Sequence, residues 1–110
     1  MKNLTLKQFE KQVMLASNPS IVKFFHEGCH LCVKLKPIYE QLAEEYERSV
    51  SFYIVDTSEE EELTKIFSDD GVPTIFYFKN GDAKEIPYPA DEDTGYCRQS
   101  IENYIKEQLL

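Results

Sequence analysis

Residues 21–32, IVKFFHEGCHLC, are the most informative segment of the chain. Its first five residues are branched or aromatic apart from Lys23, which is typical of a short strand that is covered on both faces. Residues 26–28 break this strand, and apolar side chains then recur at helical spacing. Two of the cysteines, Cys29 and Cys32, therefore fall where a buried strand gives way to a long helix.

The rest of the chain alternates between helical and strand patterns. Helices are predicted over residues 5–16, 31–46, 59–67 and 101–109, and strands over residues 21–25, 50–55, 75–78 and 83–88. Ser58, which precedes four glutamates, is the predicted N-cap of the third helix. Asn80-Gly81 is a strong hairpin signal, and Pro87 suits an edge strand. This order predicts an α/β or α+β layered fold with a central mixed sheet.

Composition limits the classes of function. The 110 residues are 42% hydrophobic and 29% charged, which predicts a single globular domain over residues 1–110. The net charge of −8 argues against partners such as nucleic acid or an anionic membrane surface. No apolar run exceeds four residues, and the first residues lack the apolar core of a secretory signal. We therefore expect a cytoplasmic monomer that neither spans a membrane nor binds nucleic acid.

The cysteines point to redox chemistry. Three cysteines leave at least one thiol unpaired, so they do not form a disulfide framework. The first turn of a helix has unpaired N–H groups and a positive dipole end, which favour a thiolate at Cys29. Cys32 lies one turn further along, on the buried side. This asymmetry suits thiol–disulfide exchange, with Cys29 as the nucleophile and Cys32 as the resolving thiol, whereas Cys97 is expected to be a passive thiol.

These features resemble the thioredoxin superfamily over almost the whole chain. The resemblance rests on the strand at residues 21–25, the CHLC motif at 29–32 and Pro37 in the same helix, and on VPT at 72–74 and FKNG at 78–81. It implies the thioredoxin fold, an α/β architecture whose central mixed β-sheet is flanked by helices on both faces. It also implies an oxidoreductase that acts on protein or small-molecule disulfides without a cofactor, with a flavoprotein thioredoxin-type reductase as electron donor.

The resemblance further implies which residues meet the substrate. Pro73 would be a cis-proline that faces the two cysteines, and Val72 would offer its backbone to an extended substrate. Tyr88 and Pro89, at the end of the last strand, would lie beside the site. Gly28 stands where most of the family carries tryptophan, so it should leave the first cysteine less shielded and alter the surface presented to partners.

Three further residues are expected to modulate the chemistry. His30 and Leu31 lie between the cysteines, where the family tunes its redox potential. A protonated His30 would stabilise a thiolate at Cys29, but the helix N-terminus disfavours imidazolium, so a surface role is an equal alternative. Lys23 stands where thioredoxins carry a buried aspartate beneath Cys32. Either its charge approaches Cys32 and favours the thiolate, or its ammonium reaches solvent along the flexible stem.

Two other functions are compatible with the motif. The first is a redox-sensing or protein-binding module with weak exchange, which the missing tryptophan and the altered charge relay would suit. The second is a metal site formed by four side chains, His26, Cys29, His30 and Cys32. Four ligands within seven residues converge poorly on a tetrahedral ion, so we expect no metal. A c-type haem site is excluded because Val33, not histidine, follows Cys32.

Overall fold

The computed structural model of the chain describes residues 1, 3–88 and 96–109. Its elements are α1 (Leu6–Phe9), β1 (Ser20–Phe25), α2 (His30–Tyr46), β2 (Ser51–Asp56), α3 (Glu61–Phe67), β3 (Thr74–Lys79), β4 (Asp82–Glu85) and α4 (Arg98–Leu109). Helix α1 continues directly into a π-helical segment, Glu10–Met14. The predicted order of helices and strands is confirmed, and α2 runs through Pro37 without a break.

The four strands form one mixed sheet in the order β2-β1-β3-β4. Strand β1 pairs in parallel with β2, with Val22 opposite Tyr53, and antiparallel with β3, with Val22 opposite Phe76. Strands β3 and β4 form an antiparallel hairpin. Strand β1 is buried because it lies between β2 and β3. The chain leaves the sheet at the end of β1, and α2 follows.

Helices cover both faces of the sheet. Side chains alternate between the two faces along a strand, so Ile21 of β1 joins one core cluster while Val22 and Phe24 join the other. The first cluster takes its helical members from α2 and α4, and the second takes them from the N-terminal helical segment and α3. The fold is therefore the predicted α/β architecture with a central mixed sheet.

The start of α3 differs from the prediction. Ser58 is not its N-cap: the helix begins at Glu61, and the cap position is occupied by Glu60. The Asp56 carboxylate accepts hydrogen bonds from the Ser58 backbone N–H at 2.9 Å and from its hydroxyl at 2.6 Å. Because the Ser58 side chain is bonded in this local turn, α3 begins two residues later than predicted.

The last strand is shorter than predicted, although its turn is as expected. Asn80 and Gly81 have φ values of 52° and 82°, which confirms the hairpin. Strand β4 ends at Glu85 rather than near residue 88. The Ile86 N–H still donates to the Ile75 carbonyl at 2.8 Å, but the next residue, Pro87, has no N–H to extend the pairing.

A buried tyrosine connects α2 to the sheet. Tyr39 is fully buried, and its hydroxyl lies 2.7 Å from the carbonyl oxygen of Tyr53 and 3.1 Å from that of Ile21. Burial raises the pKa of Tyr39, so the hydroxyl keeps its proton and acts as a donor. It therefore joins the helix that carries both site cysteines to β1 and β2 together.

Removing this hydroxyl should destabilise the protein. We expect Tyr39→Phe to lower the free energy of unfolding by about 1–3 kcal/mol, because buried carbonyl oxygens lose their donor while the ring packing is kept. Urea unfolding followed by circular dichroism measures the change. The control is Tyr46→Phe, whose hydroxyl bonds Glu102 at a partly buried position and should cost less. Equal effects of the two substitutions would contradict the role given to Tyr39.

Candidate active site

Cys29 occupies the N-cap position of the 17-residue helix α2. Its backbone is extended, with φ −91° and ψ 114°, and its Sγ accepts a hydrogen bond from the Cys32 N–H at 3.2 Å. The sulfur thus takes the place of a capping oxygen and meets the positive end of the helix dipole, an environment that stabilises negative charge. The residue is half-buried.

The segment that precedes β3 faces this sulfur. The Cys29 Sγ lies 3.8 Å from the Val72 carbonyl oxygen, to which its thiol can donate. The Val72–Pro73 peptide bond is cis, and the Pro73 side chain is buried whereas Val72 is half-buried. The structure therefore brings together two parts of the sequence that lie more than 40 residues apart.

Cys32 has the opposite environment. It is 4% exposed, and burial together with its hydrogen bond to Cys29 raises the pKa of its thiol to about 12. The positive charge of Lys23 acts in the other direction and lowers this pKa. The two thiols thus differ as predicted: one is partly exposed at the helix end, and the other is buried behind it. Cys97 is exposed and immediately precedes α4.

The structure decides between the two alternatives for Lys23. The residue is 4% exposed, and its Nζ lies 4.7 Å from the ring centroid of Tyr39 and 5.6 Å from that of Phe25. It shares a cavity of about 420 Å³ with Cys32. Burial lowers the pKa of the Lys23 ammonium. The interpretation in which this side chain extends to solvent is therefore wrong.

The other predicted site residues differ in exposure. Gly28 and His30 are exposed, and Leu31 is half-buried. A second cavity, of about 440 Å³, is lined by Val72, Pro73 and Tyr88, among others. The ring of Tyr88 packs edge-on against Tyr96 at a centroid distance of 4.9 Å. Pro89 lies outside the described residues.

Sequence reasoning missed one residue of this site, Tyr39. Its ring lies under the Lys23 ammonium. The apolar pattern that predicts α2 omits Tyr39 and runs through Leu31, Leu35, Ile38, Leu42 and Tyr46. The buried residues of the helix are Cys32, Leu35, Tyr39 and Leu42. Their spacing of three, four and three residues is a regular helical repeat, so a count that starts at Cys32 places Tyr39 on the buried side.

Neither a metal site nor a membrane-spanning helix is found in the described part of the chain. Within residues 1, 3–88 and 96–109, no three histidine, cysteine or acidic side chains are grouped closely enough to hold a metal ion. Within the same residues, no helix combines the length and apolar character needed to cross a membrane.

Known proteins with similar sequences are thioredoxins and protein disulfide isomerases. The thioredoxin family model matches residues 1–107. A thioredoxin from Borreliella burgdorferi is 37% identical over 90 residues, covering 81% of this chain and 72% of that protein. A thioredoxin from Rickettsia bellii is 32% identical over 83 residues, covering 76% and 79%. The protein disulfide-isomerase tigA of Aspergillus niger is 30% identical over 109 residues, which are 96% of this chain but 29% of that protein.

These matches agree with the geometry described above. The mixed sheet, the two cysteines at the start of α2 and the Val72 carbonyl 3.8 Å from the Cys29 sulfur are found in one chain whose sequence fits a single family model almost from end to end. The chain belongs to the thioredoxin family, a family of thiol–disulfide oxidoreductases.

Proposed function

We propose that this protein is an enzyme that exchanges disulfides with protein or small-molecule substrates through the Cys29/Cys32 dithiol. The observation that carries the proposal is the position of the Cys29 sulfur. It accepts the Cys32 N–H at 3.2 Å at the N-cap of a long helix and remains partly exposed, while the Cys32 thiol is buried behind it. The Cys29 sulfur can reach a substrate, whereas the Cys32 sulfur can reach only the Cys29 sulfur.

The proposed reaction has two exchange steps. The Cys29 thiolate attacks one sulfur of the substrate disulfide, so a Cys29–substrate S–S bond forms and the substrate S–S bond breaks. The electron pair leaves on the other substrate sulfur, which takes a proton from water. The Cys32 thiolate then attacks the Cys29 sulfur and releases the second substrate thiolate. The substrate gains two electrons, and the dithiol becomes a disulfide.

We place the substrate chain along the segment that faces Cys29. The Val72 backbone lies beside the reacting sulfur and would pair with an extended substrate, while Pro73 and Tyr88 line the adjacent cavity. Gly28 leaves the surface next to Cys29 without a side chain. Pro89 is proposed as a further substrate contact, because the family resemblance implies it. His30 and Leu31 are proposed to tune the redox potential, because they lie between the two sulfurs.

The cellular setting follows from the same chemistry. Each turnover that reduces a substrate leaves a Cys29–Cys32 disulfide, so a reductant must restore the dithiol. We propose a flavoprotein thioredoxin-type reductase as this electron donor and no bound cofactor in the protein itself. The exposed Cys97 thiol suits a reducing compartment, and we propose the cytoplasm and a monomeric state.

A trapping experiment tests the assignment of roles. We expect Cys32→Ser to accumulate a mixed disulfide between Cys29 and insulin, because the attacking sulfur is kept and the resolving sulfur is lost. Mass spectrometry of the non-reduced adduct after proteolysis identifies the linked cysteine. A Cys97→Ser substitution in the same background is the control and should leave the yield of adduct unchanged. An adduct on Cys97 instead of Cys29 would contradict the proposal.

The alternative function predicts a different result. A redox-sensing or protein-binding module would keep the fold and the dithiol but would exchange slowly. If the wild-type protein does not accelerate the reduction of insulin by dithiothreitol, this alternative is favoured over the enzyme.

A further inference from the structure

We propose that Lys23 acts through Cys32: its buried ammonium stabilises the Cys32 thiolate that forms in the resolving step. This inference rests on the proposed function for its role in exchange. The proposed electrostatic interaction between the two groups can nevertheless be tested without any turnover. Lys23 is therefore a positioning residue: it acts on Cys32 through its positive charge and does not itself contact the substrate.

The first observation is the burial of an isolated charge. Among the described residues, Lys23 is the one charged side chain that is buried, at 4% exposure. Its ammonium lies over the rings of Tyr39 and Phe25, and no ion pair to it is found in the described part of the chain. A buried charge without a counter-ion is costly, so an anion that forms beside it is strongly favoured.

The second observation is the position of Cys32. Its thiol lines the same cavity of about 420 Å³ as Lys23, whose positive charge lowers the pKa of Cys32. In β1 the side chain of Lys23 points toward the face covered by α2, to which Cys32 belongs. The thiolate of Cys32 is therefore the anion that the resolving step places next to the buried cation.

Other charged or titratable groups around this cavity are less suited to the role. Helix α2 contributes Lys36, Tyr39 and Glu40, and the loop after β1 contributes His26 and Glu27. The charge of Glu40 raises the pKa of Lys23 and that of Lys36 lowers it, but both side chains are exposed to water. Met1 of the N-terminal segment also lines the cavity, and β2 contributes the uncharged Ile54.

The resolving step shows where the charge matters. The Cys32 thiol loses its proton to water in the cavity, and its electron pair attacks the Cys29 sulfur of the mixed disulfide. The Cys29–Cys32 bond forms, the Cys29–substrate bond breaks, and the electron pair leaves on the substrate sulfur. Burial opposes the first event, because it raises the pKa of Cys32. The ammonium of Lys23 opposes this effect and lowers the pH at which the thiolate appears.

The direct test uses a protein in which Cys32 is the single remaining thiol. In a Cys29→Ser, Cys97→Ser background, the ultraviolet absorbance of the thiolate is followed against pH. Adding Lys23→Met, which keeps an apolar stem and removes the charge, should raise the titration midpoint of Cys32 by about one pH unit or more. The control Lys36→Met removes the same charge from an exposed position on the same cavity and should shift the midpoint much less.

A reciprocal measurement keeps the proposal falsifiable if Lys23→Met does not fold. The coupling of two sites is mutual, so Cys32→Ser should lower the pH at which Lys23 titrates, read from the NMR chemical shift of its Cε. An unchanged Lys23 titration, or equal shifts of the Cys32 midpoint in Lys23→Met and Lys36→Met, would overturn the inference. Neither readout needs exchange activity, so a failure here is distinguishable from a failure of the proposed function.

In the active protein, the same charge should appear as a pH dependence. With Cys97→Ser as background, single-turnover release of substrate from the mixed disulfide should be about tenfold slower in Lys23→Met near neutral pH. The difference should narrow as the pH rises, because hydroxide then removes the Cys32 proton without help. A slowing that is constant across the pH range would point to a purely structural role for Lys23 and would contradict the inference.

Discussion

Cys29→Ser should lower kcat/KM for the dithiothreitol-driven reduction of insulin by about a thousandfold or more, to the uncatalysed background. A serine hydroxyl is not ionised near neutral pH and cannot form the S–S bond on which both exchange steps depend. The helix N-cap would still be satisfied, since serine is a good capping residue, so the fold should be retained. The loss would therefore report chemistry and not unfolding.

The measurement is the rate at which insulin B chain precipitates, with protein concentration and circular dichroism matched to wild type. Cys97→Ser makes the same change of sulfur to oxygen at an exposed thiol outside the proposed mechanism and should leave the rate unchanged. If Cys29→Ser retains wild-type turnover, or if Cys97→Ser removes it, the assignment of the nucleophile is wrong.

Phe24→Ala is expected to have the largest effect on stability. The side chain is fully buried in the core cluster on the face of the sheet opposite Cys32, with its ring 5.7 Å from that of Phe67 and 6.3 Å from that of Phe76. Removing a buried phenyl ring from such packing costs about 3–5 kcal/mol, from lost burial and the cavity that remains. This is a large part of the free energy of unfolding of a small domain.

Urea unfolding of the reduced protein measures this change as a lower midpoint at similar slope. Leu15→Ala is the matched control, because it removes an aliphatic side chain that is 80% exposed, and it should change the free energy of unfolding by no more than about 0.5 kcal/mol. A similar small change in Phe24→Ala would mean that the aromatic cluster beneath β1 does not contribute as described.

The fold could be predicted from local patterns because those patterns are strong here. Strand β1 is a run of branched and aromatic residues bounded by a turn and a helix, and its length was predicted to within one residue. The Asn80-Gly81 turn was predictable for a local reason, since both residues adopt positive φ. Where competing local interactions decided, the prediction was wrong: Asp56 engages Ser58 and shifts the start of α3.

The candidate site likewise has features that follow from local sequence and features that do not. The position of Cys29 at the end of a helix follows from the sequence, because it depends on a strand, a short loop and a helix that are adjacent in the chain. Its approach to Val72 does not follow from local pattern, since it depends on the pairing of β1 with β3. The family resemblance anticipated this contact, but no periodicity or spacing within the chain required it.

The surroundings of Lys23 and Tyr39 could not be predicted from the sequence. A lysine in a strand can bury its stem and still reach water, and the sequence left both outcomes open. The central place of β1 and the packing of α2 across it leave Lys23 4% exposed and set its ammonium over the Tyr39 ring. The helices, the strands and the dithiol could be predicted from the chain alone, since they depend on residues that are neighbours in it. The surroundings of each thiol depend on residues that meet only when the sheet is assembled, so the charge beside Cys32 had to be read from the structure.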